Sequence, residues 1–178
     1  IAFLIFVNWA IIILYSTKFL SITGMVYWAT MGIFFKAISW AIAFVFLAKG
    51  AGKLYFWNEL VGNIYTLLIS LLGYYYGGLT GLGIAFLVSC VLYLIQVYLI
   101  AKVKYKFSFN ISFLQIFVIQ FLLAVIGFVA VNLIKQPYTY VLGVFLIAVS
   151  CWFSYKELES RIGINELLKS VIEKLKKK

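Results

Sequence analysis

Lys36 is a charged residue near the middle of an apolar segment that runs from about 22 to 48. Four residues share its face at helical spacing: Trp28, Gly32, Ser39 and Trp40. An ammonium between two indoles could hold an anionic phosphate while the rings stack on sugar faces, since lysine is a common phosphate ligand. We therefore predict a substrate-binding set of Lys36, Trp28, Trp40 and Ser39. The alternative is that the lysine only extends toward a membrane surface and the tryptophans anchor the interfaces.

Glu59 opens a polar stripe in the next apolar segment, with hydrophilic residues at spacings of four, three and four: Glu59, Asn63, Thr66 and Ser70. Ser89 and Gln96 continue the theme in the segment after that. Such a stripe is typical of a packing seam between helices or of the lining of a cavity. The small residues beside it favour the seam, and the cavity stays open as the alternative.

Lys36 and Glu59 are predicted to belong to two separate sites. At about 1.5 Å rise per residue, their levels along two neighbouring helices differ by about 12 Å, which is too far for an ion pair. We expect Glu59 to pair with Lys49 or Lys53 at the rim of the membrane instead.

The chain lacks the residues on which most catalysis depends. It has no His, and all five of its acidic residues are Glu, so Ser/His/Asp catalysis, histidine metal sites and magnesium held by Asp are excluded. Cys90 and Cys151 each lie in an apolar run and are expected to be buried thiols. We predict no enzyme, no catalytic residue, no metal, no cofactor and no nucleic-acid partner.

Composition places the chain in a lipid bilayer. Of its 178 residues 66% are hydrophobic and 11% charged, whereas globular chains have about 45–50% and about 25%. Gly, Pro and charge clusters divide it into six predicted transmembrane helices, at about 1–15, 22–48, 55–76, 82–101, 111–134 and 138–155. Residues 156–178 are predicted to form a basic amphipathic tail on the cytoplasmic membrane surface.

The basic residues are divided unequally between the two sides of this arrangement. The connections after the second, fourth and sixth spans, including the tail, carry twelve Lys and Arg residues, against two after the first, third and fifth. Because positive residues in short loops stay inside, we expect the even connections and the C-terminus in the cytoplasm. The chain begins at Ile1 within an apolar run, so we also expect it to be a piece of a longer protein.

Several short motifs follow one another over residues 14–85: Leu14-Tyr15-Ser16-Thr17-Lys18-Phe19, Gly32-Ile33-Phe34-Phe35-Lys36, Ser39-Trp40, Ala48-Lys49-Gly50, Asn58-Glu59 and Gly78-Leu79-Thr80-Gly81-Leu82-Gly83-Ile84-Ala85. Their order resembles the C-terminal half of bacterial polysaccharide flippases. These are the O-antigen and capsule translocases of the multidrug/oligosaccharidyl-lipid/polysaccharide exporter superfamily. The resemblance covers about residues 1–106, and residues 107–178 only in their hydropathy.

The resemblance implies an all-α integral membrane protein of the bacterial inner membrane, one lobe of a two-lobe transporter bundle. Such a lobe would join a missing N-terminal lobe of the same chain and move undecaprenyl-pyrophosphate-linked oligosaccharide by alternating access for surface polysaccharide synthesis. Lys36 is then the candidate for the pyrophosphate. Two alternatives remain, namely an ion-coupled multidrug exporter of the same fold and a membrane scaffold that transports nothing.

Overall fold

The computed structural model describes residues 1–133 and 138–162, the last three by their backbone only. Within these ranges the chain is all-α, as predicted, and has no strand. The helices are α1 (Ala2–Ile5), α2 (Val7–Leu14), α3 (Thr23–Ala48), α4 (Gly52–Tyr105), α5 (Ile111–Leu133) and α6 (Tyr138–Ile162), with a 3-10 turn at Thr17–Ile22. Four of them, α3 to α6, are long and apolar enough to cross a membrane. These are the helices of a multi-pass membrane protein.

Helix α4 is a hairpin rather than a straight rod. Its 54 residues would extend about 80 Å if straight, far more than the roughly 30 Å of a bilayer core. Gly78 interrupts it with φ 56° and ψ −141°, a backbone conformation that only glycine adopts readily. The first arm (52–77) and the second arm (79–105) return so closely that a Cβ on Gly73 would lie 2.6 Å from the Gly81 carbonyl oxygen.

Helix α3 packs along the second arm of α4, and the two run in the same direction. At one end a Cβ on Gly83 would lie 2.5 Å from the Met25 carbonyl oxygen, so the two backbones touch there. At the other end the rings of Phe46 and Tyr105 stack with centroids 5.8 Å apart. Because glycine has no side chain, the two backbones approach closely at Gly83.

Helices α1, α2 and α5 also contact α3. Aromatic rings form the contact between α3 and α5, where Phe35 meets Phe121 at 5.2 Å and Trp28 meets Phe128 at 4.9 Å between centroids. At the same level α1, α2, α3 and α5 share a buried cluster: Leu4, Val7, Ile11, Tyr27, Met31 and Ala124. Helix α6 joins α5 through polar contacts and α1 through Gly143 against Ile5.

The first predicted span differs from the structure in its internal course. It is broken at Phe6 (φ −97°, ψ 14°) into α1 and α2, neither long enough to cross a membrane alone. The third and fourth predicted spans correspond to the two arms of α4, which turn at Gly78. Within the described ranges four helices are long and apolar enough to cross a membrane, and the six predicted spans stay a prediction.

The last described helix extends past the predicted end of the sixth span. Helix α6 continues beyond Tyr155 to Ile162, since Lys and Glu are good helix formers and a membrane surface does not stop a helix. Lys156 at this point places its ammonium 5.6 Å from the Trp152 ring centroid. The rest of the predicted tail, residues 163–178, lies outside the described residues, as do the connection at Lys135 and the predicted end of the fifth span.

Candidate functional site

Lys36 lies close to the middle of α3, which begins at Thr23 and ends at Ala48. The residue is half-buried, and its ammonium nitrogen lies 4.7 Å from the ring centroid of Tyr93 and 5.5 Å from that of Trp40. An ammonium over an aromatic ring is attracted by the ring quadrupole, with about 2 kcal/mol or more where water is excluded. The two rings therefore hold the cation near the middle of a helix long enough to cross a membrane.

Tyr93 lies on the second arm of α4 and is only 3% exposed. Its hydroxyl donates a hydrogen bond to Glu59 Oε1 and accepts one from Asn58 Nδ2 at 3.0 Å. Gln96 Nε2 in turn donates to Asn58 Oδ1 at 2.8 Å and to the Asn58 carbonyl oxygen at 3.1 Å. The first and second arms thus share a polar network in which each member orients the next.

Gly62 makes room for this network. A Cβ at that position would lie 2.9 Å from both Cδ2 and Cε2 of Tyr93, closer than carbon atoms pack. The ring therefore lies directly against the backbone of the first arm. The Tyr93 hydroxyl contacts Asn58 and Glu59, which lie about one turn before Gly62 on the first arm. The face of the Tyr93 ring contacts the Lys36 ammonium.

The prediction that Lys36 and Glu59 form two separate sites is wrong. Both contact Tyr93, Lys36 over the ring and Glu59 at the hydroxyl. Backbone levels alone do not decide the contact, because the lysine side chain extends along the helix and Tyr93 spans the remaining distance. Glu59 is bonded to Tyr93, so the predicted pairing with Lys49 or Lys53 is wrong as well.

The other predicted substrate residues are distributed over different surroundings. Trp40 is 51% exposed beside the ammonium, whereas Trp28 packs edge-on against Phe128 of α5. Ser39 is completely buried and donates to the carbonyl oxygen of Phe35. Of the three residues predicted to accompany Lys36, the structure brings Trp40 into contact with its ammonium.

The predicted polar stripe divides in the same way. Glu59 and Gln96 belong to the network around Tyr93, while Asn63 is exposed and Thr66 and Ser70 are half-buried on the flank of the first arm. Ser89 is 2% exposed, and its hydroxyl has no hydrogen-bond partner in the described part of the chain. The stripe is thus not one continuous seam.

Asn58 and Tyr93 were missing from the predicted site. The signal that could have found them is the pairing of the two arms about Gly78. A tight antiparallel turn at that glycine brings Asn58 opposite Gln96 and Gly62 opposite Tyr93. Reading the two spans as one hairpin would have placed these polar residues face to face.

The cluster formed by Lys36, Trp40, Asn58, Glu59, Tyr93 and Gln96, called here the lysine cluster, contains one positive and one negative charge. The ammonium side lies on the exposed face of α3, next to Trp40 and Ile33, which is 54% exposed. Among residues 1–133 and 138–162, no group of three or more His, Cys, Asp or Glu side chains could hold a metal ion. An ammonium is the kind of group that pairs with an anionic phosphate.

Comparison of the chain with protein-family models, with curated proteins and with solved structures found no match.

Proposed function

We propose that this chain forms one lobe of a bacterial inner-membrane transporter that moves an undecaprenyl-pyrophosphate-linked oligosaccharide across the membrane by alternating access for surface polysaccharide synthesis. The observation that carries the proposal is the ammonium of Lys36, held between Trp40 and Tyr93 in the middle of a membrane-length helix. It supplies a fixed positive charge where an anionic head group would pass.

A charged side chain in the middle of a membrane helix lowers the free energy gained on insertion, and packing contacts alone do not offset this loss. Insertion of a lysine at the centre of a membrane helix costs about 2.5–3.5 kcal/mol, so charges at this depth mark pathways and binding sites. The cation–π contacts recover part of this cost. The half-buried ammonium and the exposed indole of Trp40 together offer a phosphate ligand beside a ring that can cover a sugar face.

Depletion of the protein in its host tests the proposal. Loss of a flippase should leave lipid-linked oligosaccharide in the cytoplasmic leaflet and remove polysaccharide from the surface, because the glycan cannot reach the outer polymerising step. Lipid extraction with radiolabelled sugar measures the first, and surface immunoblotting the second. Normal surface polysaccharide in depleted cells would contradict the proposal.

One observation favours a second candidate, an ion-coupled multidrug exporter. Such an exporter needs a carboxylate within the membrane, and Glu59 lies in α4, bonded to Tyr93 beside the Lys36 cation. Depletion would then raise sensitivity to cationic drugs and leave the polysaccharide unchanged. The same depleted cells therefore separate the two functions.

The orientation proposed from the charges has its own test. The fold brings the C-terminal end of α3, the start of the first arm and the end of the second arm together, and this end carries Lys49, Lys53, Lys102 and Lys104. We expect this end in the cytoplasm and the turn at Gly78 in the periplasm.

In a background without Cys90 and Cys151, a cysteine at Leu79 should react with a membrane-impermeant thiol reagent in intact cells. One at Lys104 should react only after the cells are permeabilised. The reverse pattern would overturn the orientation.

A further inference from the structure

Lys36 and Glu59 carry the two charges of the lysine cluster, and both contact the same residue. The Lys36 ammonium lies over the Tyr93 ring, 4.7 Å from its centroid, and the Tyr93 hydroxyl donates a hydrogen bond to Glu59 Oε1. Tyr93 is only 3% exposed, so the protein itself surrounds this connection. A cation, a ring and a carboxylate thus form one series of contacts from α3 to the first arm of α4.

Few other charges are close to these two along the sequence. Lys36 is the only charged residue between Lys18 and Lys49. Glu59 is the only acidic residue before Glu157. Charged residues inside membrane helices almost always pair with one another, because an isolated charge in hydrocarbon is costly. The contacts with Tyr93 give each of these two charges its opposite.

Tyr93 connects the two charges electrostatically as well as sterically. A phenol that donates to a carboxylate gains electron density in its ring, because hydrogen-bonded groups polarise one another. A more electron-rich ring attracts an ammonium more strongly. Asn58 Nδ2 donates to the same hydroxyl at 3.0 Å, and Gly62 lets the ring lie against the first arm. Both contacts keep Tyr93 in the position that links the charges.

We propose that Glu59 is the internal counter-ion of Lys36, bridged to it by Tyr93, and that an anionic phosphate displaces it. The pairing stands on the contacts, and the displacement rests on the proposed function. Trp40 is 51% exposed, so an anion can approach the ammonium from the Trp40 side while Tyr93 stays buried. When the anion leaves, Glu59 again balances the lysine. The carboxylate therefore limits how long an anion stays bound.

Removing the negative charge of Glu59 should strengthen anion binding, whereas loss of a merely structural residue would weaken it. Glu59→Gln keeps an oxygen that accepts the Tyr93 hydrogen bond and removes the charge. Inorganic pyrophosphate should bind the purified variant about tenfold more tightly than wild type, because the competing unit charge is gone. Glu157→Gln, the same change in α6, is the matched control and should leave the affinity unchanged. Lys36→Ala should remove binding at this site.

A cycle of variants tests the pairing without any ligand. Lys36→Met and Glu59→Gln each leave one charge without its partner, so each should lower the thermal midpoint in detergent. The double variant should recover most of the loss, because removing both charges is far less costly than removing one. Lys102→Met with Glu59→Gln is the matched control and should be additive. Lys102 also lies over a tyrosine, 6.0 Å from the Tyr98 ring centroid, but Glu59 is bonded to Tyr93 instead.

The outcomes distinguish this proposal from the proposed function. Additive midpoints for Lys36→Met and Glu59→Gln would overturn the counter-ion. Coupled midpoints with an unchanged pyrophosphate affinity in Glu59→Gln would overturn the displacement. If neither wild type nor Glu59→Gln binds pyrophosphate, the anion site of the proposed function fails and the displacement fails with it, while coupled midpoints still support the pairing.

An infrared measurement on the wild-type chain covers the case in which Glu59→Gln does not fold. With carbon-13 in the glutamate carboxyl groups, saturating pyrophosphate should shift a labelled carboxylate stretch, because the anion takes the ammonium from the bridge through Tyr93. The shift should be absent from Lys36→Ala, which assigns it to Glu59 among the five glutamates. A wild-type spectrum that pyrophosphate leaves unchanged would contradict the displacement.

Discussion

Replacing Lys36 with alanine is expected to abolish surface polysaccharide while the protein remains in the membrane. The change removes the ammonium over Trp40 and Tyr93 but no contact between helix backbones, and the bonds of Tyr93 to Asn58 and Glu59 persist. Lys36→Arg should keep part of the activity, because the charge remains while the planar guanidinium fits the site differently. Complementation of a deletion strain, with immunoblots of the membrane fraction, measures both effects.

Two further variants sharpen this result. Lys36→Leu removes the cost of inserting a lysine into the membrane, about 2.5–3.5 kcal/mol. If Lys36 has no function, cells with the Leu variant should make normal surface polysaccharide. That result would contradict an anion site at Lys36. Lys102→Ala is the matched control. Its ammonium also lies over a tyrosine, 6.0 Å from the Tyr98 ring centroid, but in the last turn of α4, so its loss should leave transport intact.

Gly83→Ala is expected to destabilise the protein strongly. A Cβ at Gly83 would lie 2.5 Å from the Met25 carbonyl oxygen and 2.8 Å from its Cα, and backbone atoms cannot turn aside as a side chain can. Overpacking typically costs about 1–3 kcal/mol, which exceeds the gain of about 1 kcal/mol from replacing glycine by alanine in a helix. A lower thermal midpoint in detergent, with α3 released from the second arm, should follow.

Gly127→Ala provides the control in the same fold. Its Cβ would meet Leu4 at 3.7 Å and Leu146 at 3.9 Å, which are ordinary van der Waals distances. The midpoint should stay unchanged or rise slightly, because only the gain in helix propensity remains. Equal midpoints for the two variants would mean that α3 and the second arm are not in backbone contact.

Hydropathy was sufficient to predict where α3 and α5 lie, because a membrane helix must be apolar for about 20 residues and the charged or glycine-rich connections interrupt that run. The break at Phe6 was not predicted. Residues 1–15 contain neither glycine nor proline, and the turn there depends on packing of Leu4 and Val7 against α3 and α5. A break that depends on tertiary contacts is not indicated by any helix-breaking residue in the local sequence.

The charged residues of the site could be predicted from the sequence, whereas the residues that contact them could not. Lys36 and Glu59 are conspicuous because charged residues are rare in apolar segments. Tyr93 is not, since a tyrosine has the same hydropathy whether it faces lipid or accepts a hydrogen bond from Asn58. Its role depends on the rotation of one arm against the other, which the spacing of residues within one helix does not determine.

The hairpin of α4 has a consequence for how the chain enters the bilayer during synthesis. Asn58 and Glu59 emerge from the ribosome before Tyr93 and Gln96, which satisfy them. A first arm alone in hydrocarbon would carry unsatisfied polar groups, each costing several kcal/mol, and the second arm removes that penalty. The pair of arms joined at Gly78 is therefore a more favourable unit of insertion than the first arm alone. The polar network thus stabilises the chain while it enters the membrane as well as in the folded protein.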